Sequence, residues 1–301
     1  MKKILLVLIL GAMLVANETI AQGCCDAGSC SLSPFKGGQF SLTEGPRNEV
    51  SLGGSFGKGF DDISVLGGHL EYIRRINDTW SFGAKGTFNS NSGRLGDVAG
   101  LGDLFLNANY SHGENWRFTL GTKIPLSNGD VKLNGASMPM PYQPSLGIFD
   151  AIAGVSYRWE KIGLSAIYQQ PLTKSANSYL RSSTDTTYLS TNKLNRKSDF
   201  ILRAAYDLYT TDQLSIVPSL LGIIHTAEDT YTYAVSGVDH HEQSIEGSQG
   251  LTLNANIRAL YNFKPNQGIE LNAGFPLAVR EAMPDGLTRS VVIALEYKFR
   301  F

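Results

Sequence analysis

The most reactive side chains in this sequence are three cysteines near the N-terminus. Cys24, Cys25 and Cys30 are the chain's only cysteines. Thiolates at this spacing could hold a soft metal ion such as copper(I). Three alternatives stay open: a disulfide between Cys30 and one of its neighbours, lipidation of Cys24, and ordinary tail thiols. An oxidising compartment favours the disulfide. No cofactor is predicted.

Histidines supply the next candidate groups. Residues 239–242 read Asp-His-His-Glu, and imidazoles beside carboxylates can bind a transition metal. Adjacent side chains in an extended loop point apart, however, so a solvated polar loop is favoured. His225, at a strand end, would be the base of an outer-membrane hydrolase, but the spacing supplies no serine or acidic partner for it. The chain is not predicted to be an enzyme.

A larger set of polar residues alternates with apolar ones along short segments. Trp116, Phe118 and Leu120, for example, alternate with Arg117 and Thr119. In a strand, such alternation places the two sets on opposite faces of the sheet. We therefore predict one polar face that lines a lumen, formed by Lys85, Asn107, Arg117, Lys123, Arg158, Arg203, Asp207, Arg258, Glu270, Glu296 and Lys298.

Twelve alternating segments would position these side chains. They lie at approximately 47–56, 63–74, 79–89, 102–111, 115–125, 149–159, 161–170, 199–209, 213–225, 250–262, 267–278 and 288–301. Short links alternate strictly with longer ones rich in Asn, Ser, Thr and Gly, as in bacterial outer-membrane barrels. The pattern predicts an all-β fold, a transmembrane antiparallel β-barrel of about twelve strands, with ten or fourteen as alternatives. The first strand should pair with the last, because lipid leaves no partner for a free sheet edge.

Aromatic residues support a lipid-facing barrel. Trp80 and Trp116 each lie beside a short turn, and Tyr157 and Tyr261 lie beside two others. Tyr and Trp favour the membrane interface because an apolar ring carries a polar edge. We therefore expect an aromatic girdle at the periplasmic end and lipid as the partner of the outer surface.

The N-terminus carries an export signal. Lys2 and Lys3 precede an apolar core, and small residues at Thr19 and Ala21 predict cleavage after Ala21. The predicted organisation is a signal peptide at 1–21, a periplasmic cysteine-containing tail at 22–46 and a barrel at 47–301. The predicted location is the outer membrane. With 26 basic and 27 acidic residues, nothing favours nucleic acid as a partner.

Three stretches carry a family resemblance: GLGDLFLNANY at 100–110, WRFTLGTKIPLSNGD at 116–130 and SLGIFDAIAGVSYRW at 145–159. They resemble the outer-membrane barrel family named for the meta-pathway of phenol degradation, whose members are transporter-like. The resemblance implies passage of small, hydrophobic molecules. Phe301, with aromatics at alternate positions before it, also resembles the signal by which the barrel assembly machinery recognises its clients.

These observations favour a channel or transporter for small solutes, in which a charged lining steers the solute. Two alternatives stay open. The first is a non-conducting barrel, charge-paired inside, whose long loops bind a partner or play a structural role. The second is an outer-membrane hydrolase.

Overall fold

The computed structural model describes residues 32–36, 46–235, 238–286 and 289–301. Twelve strands form its wall: β1 Asn48–Gly59, β2 Ser64–Arg75, β3 Trp80–Gly93, β4 Gly96–His112, β5 Trp116–Pro125, β6 Asp150–Trp159, β7 Ile162–Pro171, β8 Asp199–Tyr206, β9 Leu214–His225, β10 Gly250–Lys264, β11 Gln267–Ala278 and β12 Arg289–Arg300. The short 3-10 helices are Ser33–Phe35, Phe60–Asp62 and Met140–Tyr142. In these ranges no helix has the length and apolarity needed to cross a membrane.

Each strand pairs antiparallel with its neighbours around a closed ring. The ring closes between β1 and β12, where Glu49 opposes Arg300 and Phe56 opposes Ile293. Closure removes the free edges that lipid could not satisfy. The predicted twelve-stranded barrel and its first-to-last pairing are confirmed.

The predicted strict alternation of short and long links is wrong at two places. Residues 60–63 connect β1 to β2, and this link is no longer than the opposite turn at 76–79. The predicted link between the third and fourth segments is mostly strand, because β3 and β4 continue to a turn at Arg94 and Leu95. Gly93 opposes Gly96, whose φ of 127° an L side chain rarely adopts. The glycine and serine content of residues 90–101 is typical of a loop, but the cross-strand pairing of β3 with β4 continues through these residues.

The longest connections share one end of the barrel, as predicted. They are residues 126–149, 172–198 and 226–249, whereas the opposite end has turns such as 76–79 and 113–115. We assign the long-loop end as extracellular. The third long loop holds a hairpin of Thr230–Val235 and Val238–Ser244, so residues 239–242 form part of a paired strand and not the irregular loop expected.

The outer face of the wall is apolar and exposed around the ring. Leu120 on β5 is 68% exposed and Leu52 on β1 is 63% exposed. Other members of this belt are Leu70, Leu106, Leu164, Leu202, Leu220, Ile257, Leu271 and Leu295. A continuous apolar surface of this extent indicates contact with lipid.

An aromatic girdle lies at the short-turn end of this belt. Trp80 packs against Tyr110 across β3 and β4, with ring centroids 5.1 Å apart. Trp116 packs against Tyr157 at 4.5 Å. Rings with polar edges at this level match the membrane interface, as the sequence predicted.

The inner face is less polar than predicted. Alongside its charged residues, β6 to β9 turn an apolar stripe inward, formed with one residue of β4: Phe105, Ile152, Ile167, Ile201, Leu221 and Ile223. Both faces of β8 are apolar around Ile201, so the sequence of this strand does not alternate between polar and apolar residues there. Something inside the barrel has to cover this stripe.

Candidate solute pathway

Residues 32–36 lie inside the barrel and cover that apolar stripe. Leu32 and Phe35 are fully buried and belong to the same hydrophobic cluster as Ile167 and Ile201. The segment forms a 3-10 turn with Pro34 near its start. We call residues 32–36 the plug. They belong to the tail predicted at 22–46 to be periplasmic, and the structure instead places them in the lumen.

The other side of the plug is polar and contacts the opposite wall. Nζ of Lys36 lies 3.4 Å from Oε1 of Glu270 on β11 and forms an ion pair with Glu296 on β12. Ser33 Oγ donates a hydrogen bond of 2.9 Å to Glu71 on β2. The plug therefore has an apolar and a polar side, each matched to the wall that it faces.

One cavity lies on each side of the plug. The first, of about 160 Å³, lies towards the extracellular loops and includes Lys36, Phe105 and Leu146 in its lining. The second, of about 670 Å³, reaches the periplasmic turns and is lined in part by Lys36, Arg117 and Asp212. We call them the upper chamber and the lower vestibule. Lys36 and Arg258 line both of them, so both residues lie at the boundary.

The first long loop folds inward and closes the upper chamber. The backbone carbonyl of Pro144 accepts a hydrogen bond of 2.7 Å from Asn89 Nδ2 on β3. The carbonyl of Gln143 accepts one of 3.0 Å from Asn91 on the same strand. Ser145 Oγ donates one of 2.6 Å to Asp103 on β4. Residues 140–146, which we call the lid, are thus held by the inner wall.

Buried ion pairs join the remaining loops above the lid. Arg280 Nη2 lies 2.5 Å from Asp285 Oδ2, and Arg280 Nη1 lies 3.5 Å from Asp229. Arg196 reaches the same Asp285 at 3.4 Å and Asp199 at 2.7 Å. This cluster, which we call the cap network, connects the loops at 172–198, 226–249 and 279–288.

The cap network changes the acidity of its carboxylates. Burial alone would raise the pKa of Asp285, but the guanidinium groups of Arg280 and Arg196 outweigh it and lower that pKa. In the first long loop, hydrogen bonds from Ser137 and Ser178 outweigh burial and lower the pKa of Asp130. Both carboxylates therefore stay ionised at neutral pH and hold the loops together.

The predicted lumen residues lie on the inside of the barrel, and many are ion-paired. Lys123 lies 2.6 Å from Asp150 on β6, and Arg158 pairs with Asp207. Arg258 lies 3.6 Å from Glu270. The upper chamber is lined by Lys85, Lys123, Arg203, Arg258 and Glu296, and the lower vestibule by Asn107, Arg117, Arg258, Glu270 and Lys298. Arg158 and Asp207 lie beside the periplasmic turns.

The other candidate groups give no metal centre within the described ranges. Cys24, Cys25 and Cys30 lie outside them. The described residues contain no group of three or more His, Cys, Asp or Glu side chains placed to hold a metal. Glu242 pairs with Lys174, and His241 lies near Gln243. His225 does have the acidic partner that its spacing did not reveal, Asp199 at 2.6 Å.

A closed antiparallel wall with an apolar belt, an aromatic girdle and long loops at one end defines an outer-membrane β-barrel. No protein-family model and no curated protein sequence matches the chain.

Solved structures similar to this chain are outer-membrane barrels at low identity. The CymD monoaromatic hydrocarbon channel aligns over 95% of this chain and 99% of its own, with 10% identity and a TM-score of 0.48. The NanC porin aligns over 84% and 100%, with 9% identity and a TM-score of 0.47. The translocator domain of autotransporter NalP from Neisseria meningitidis aligns over 92% and 95%, with 9% identity and a TM-score of 0.48.

Proposed function

We propose that this barrel is a gated channel or transporter that carries small solutes across the outer membrane. The main observation that supports this proposal is the pair of cavities, one on each side of the plug. Together they extend from beneath the lid to the periplasmic turns, so displacing a short segment would join them. The resemblance to the barrel family named for the meta-pathway of phenol degradation supports a transport role, with small and partly hydrophobic solutes.

The plug is suited to reversible movement. It is short, and the wall it leaves keeps its own hydrogen bonds because the ring of strands is closed without it. Glu270 and Glu296 also pair with Lys298, at 3.4 and 3.6 Å. Their charges therefore keep a partner when Lys36 leaves. Joining the two cavities therefore requires only the plug's own contacts to break, and a full passage also requires the lid to move from the inner wall.

The test is single-channel conductance of the refolded mature chain in planar bilayers. We expect the Lys36→Met variant to open more often than the wild type, because it loses both ion pairs but keeps most of its side-chain length. Lys161→Met is the matched control, since Lys161 is exposed in the short turn between β6 and β7. Heat-modifiable migration and β-rich circular dichroism establish that each barrel has folded.

Silence from folded wild type, from Lys36→Met and from a variant that lacks residues 22–46 would contradict the proposal. It would favour the non-conducting barrel whose loops bind a partner. Hydrolysis of lipid by the purified barrel, lost in His225→Gln, would favour the hydrolase.

A further inference from the structure

We infer that the lid is a second gate, independent of the plug, and that a latch formed by Tyr142, Tyr188 and Asp61 holds it shut. This inference rests on the proposed function and deepens it, because it assigns the control of the extracellular side of the same pathway. The plug then controls the periplasmic side, and the upper chamber lies between two gates.

The lid and the plug pack into separate hydrophobic clusters. Phe35 of the plug belongs to the cluster around Ile201. Tyr142 of the lid belongs to a second cluster and Met140 to a third, and the three clusters share no residue. The polar contacts with the wall are separate as well, because those of the plug go to β2, β11 and β12, and those of the lid go to β3 and β4. Each segment can therefore move while the other keeps its contacts.

The lid is a stiff segment that side chains hold against the wall. Proline fixes φ and has no N–H to donate, so the lid cannot add to a strand ladder at Pro141 or Pro144. Residues Met140–Tyr142 form a 3-10 turn. The amides of Asn89 and Asn91 donate to lid carbonyls. Breaking these bonds leaves the pairing of β3 with β4 intact, because that pairing uses the strand backbones.

A chain of hydrogen bonds joins the lid to two other loops. The backbone N–H of Leu95, in the β3–β4 turn, donates to Tyr142 Oη at 3.1 Å. Tyr142 Oη lies 3.3 Å from Tyr188 Oη in the second long loop, and Tyr188 Oη donates to Asp61 Oδ2 at 2.5 Å. Because Tyr188 has one hydroxyl proton and donates it to Asp61, Tyr142 is the donor to Tyr188. Successive bonds that end on a carboxylate polarise and strengthen one another.

The latch extends from the barrel interior to the extracellular solvent. Tyr142 and Tyr188 are buried, whereas the side chain of Asp61 is 30% exposed in the link between β1 and β2. Arg94 is 51% exposed, lies 5.8 Å from the centre of the Tyr188 ring and pairs with Asp61 at 3.5 Å. The chain therefore connects a contact at the extracellular surface to the lid of a buried chamber.

Two glycines allow the lid to seat closely. An added Cβ at Gly93, the last residue of β3, would lie 2.5 Å from Tyr142 Oη, so a side chain there would displace the Tyr142 ring from the latch. An added Cβ at Gly286 would lie 2.4 Å from the backbone of Pro141. The lid therefore rests on the loop of the cap network at Pro141 and is latched at Tyr142.

The first measurement is the open probability of single channels in planar bilayers. Tyr188→Phe removes a hydrogen bond to a carboxylate and should raise the open probability roughly tenfold or more. Independent gates in series multiply, so Tyr188→Phe combined with Lys36→Met should show the product of the two single increases while the open probability stays well below one. Tyr168→Phe is the matched control, because it loses a hydroxyl bond of 2.7 Å to Gln170 on the outer face of β7. It should open as the wild type does.

The second measurement needs no conduction. Ser55→Cys places a thiol in the lining of the upper chamber, in a chain whose native cysteines are replaced by serine. In detergent a maleimide reaches this thiol through either gate, so the contributions of lid and plug to the labelling rate add. Tyr188→Phe should raise the rate roughly tenfold or more, and Gly93→Ala should also raise it. Gly86→Ala, on the same strand, is the control, because its added Cβ would meet no atom within 4 Å.

An unchanged labelling rate in folded Tyr188→Phe and Gly93→Ala would overturn the latch. An open probability of the double variant far from the product would show that lid and plug form one gate. The two proposals fail separately. Faster labelling in a barrel that is silent in every variant would retain the latch and exclude the channel. Conductance that rises in Lys36→Met but not in Tyr188→Phe would retain the channel and exclude the latch.

Discussion

Lys36 Nζ lies 3.4 Å from Glu270 Oε1 and also pairs with Glu296, across sequence separations of 234 and 260 residues. A residue near the N-terminus is thus joined to two strands near the C-terminus. The plug thus contacts β11 and β12, the strands that lead to the closing pair with β1. We expect variants to separate folding of the wall from seating of the plug.

The apolar side of the plug can be tested through Phe35. Truncation of a buried phenylalanine to alanine costs about 3–5 kcal/mol. In Phe35→Ala we expect this cost to reduce the free energy that holds the plug in the lumen. We expect a larger mean conductance and faster proteolysis of the N-terminal segment. Phe88→Ala, at an exposed position on the outer face of β3, is the control. If Phe35→Ala instead abolished heat-modifiable migration, the plug would be part of the barrel core.

The cap network predicts a dependence on pH. Asp285 has a lowered pKa in the folded state, so its stabilisation is complete above the pKa of the unfolded chain, about 3.9, and is lost as pH falls through the folded value. The part of the loop protection that comes from Asp285 should be constant from pH 5 to 8 and decline below about pH 4. Limited proteolysis at acid pH, with an acid-active protease, measures it.

Asp285→Asn should loosen the same loops at pH 7. Removing one partner of a buried ion pair costs about 3–5 kcal/mol, and here Arg280 and Arg196 both lose a contact. Asp212→Asn, in a periplasmic turn, is the control. Loops as resistant to protease in Asp285→Asn as in the wild type would show that the cap network does not hold them.

The lipid-facing belt predicts a position-dependent cost for charge. Leu120 is 68% exposed on the outer face of β5, and a lysine on the lipid side near the bilayer midplane costs about 2–4 kcal/mol. Leu120→Lys should lower the unfolding free energy in lipid vesicles by that amount, measured by urea titration. Glu114→Lys, in a periplasmic turn, should change it little. Similar values for the two variants would contradict a lipid-facing β5.

The C-terminal residue provides a test of assembly. Phe301 is exposed, and its backbone exchanges hydrogen bonds of 3.0 and 2.9 Å with Asn48. If the barrel assembly machinery recognises this end, deletion of Phe301 should reduce insertion in cells while refolding in detergent stays nearly unchanged. Phe263→Ala, at another exposed aromatic position, should insert normally. Equal insertion with and without Phe301 would exclude recognition through this residue.

The sequence by itself determined the wall. The twelve segments, the inward side of Arg117 and Lys298, and the outward side of Leu120 all follow from a period of two residues, because successive side chains of a strand point to opposite faces. Closure followed as well, since a lipid-embedded sheet cannot keep a free edge. Local pattern carries this information because each strand pairs with its two neighbours and its outer side chains face only lipid.

Only the tertiary structure decided what fills the barrel. The apolar inner stripe around Ile201 and the plug that covers it depend on contacts between distant parts of the chain. Neither Lys36 nor Phe35 belongs to an alternating segment, and nothing local distinguishes them from residues of a periplasmic tail. Their position follows from the shape and charge of a lumen that exists only once the ring has closed.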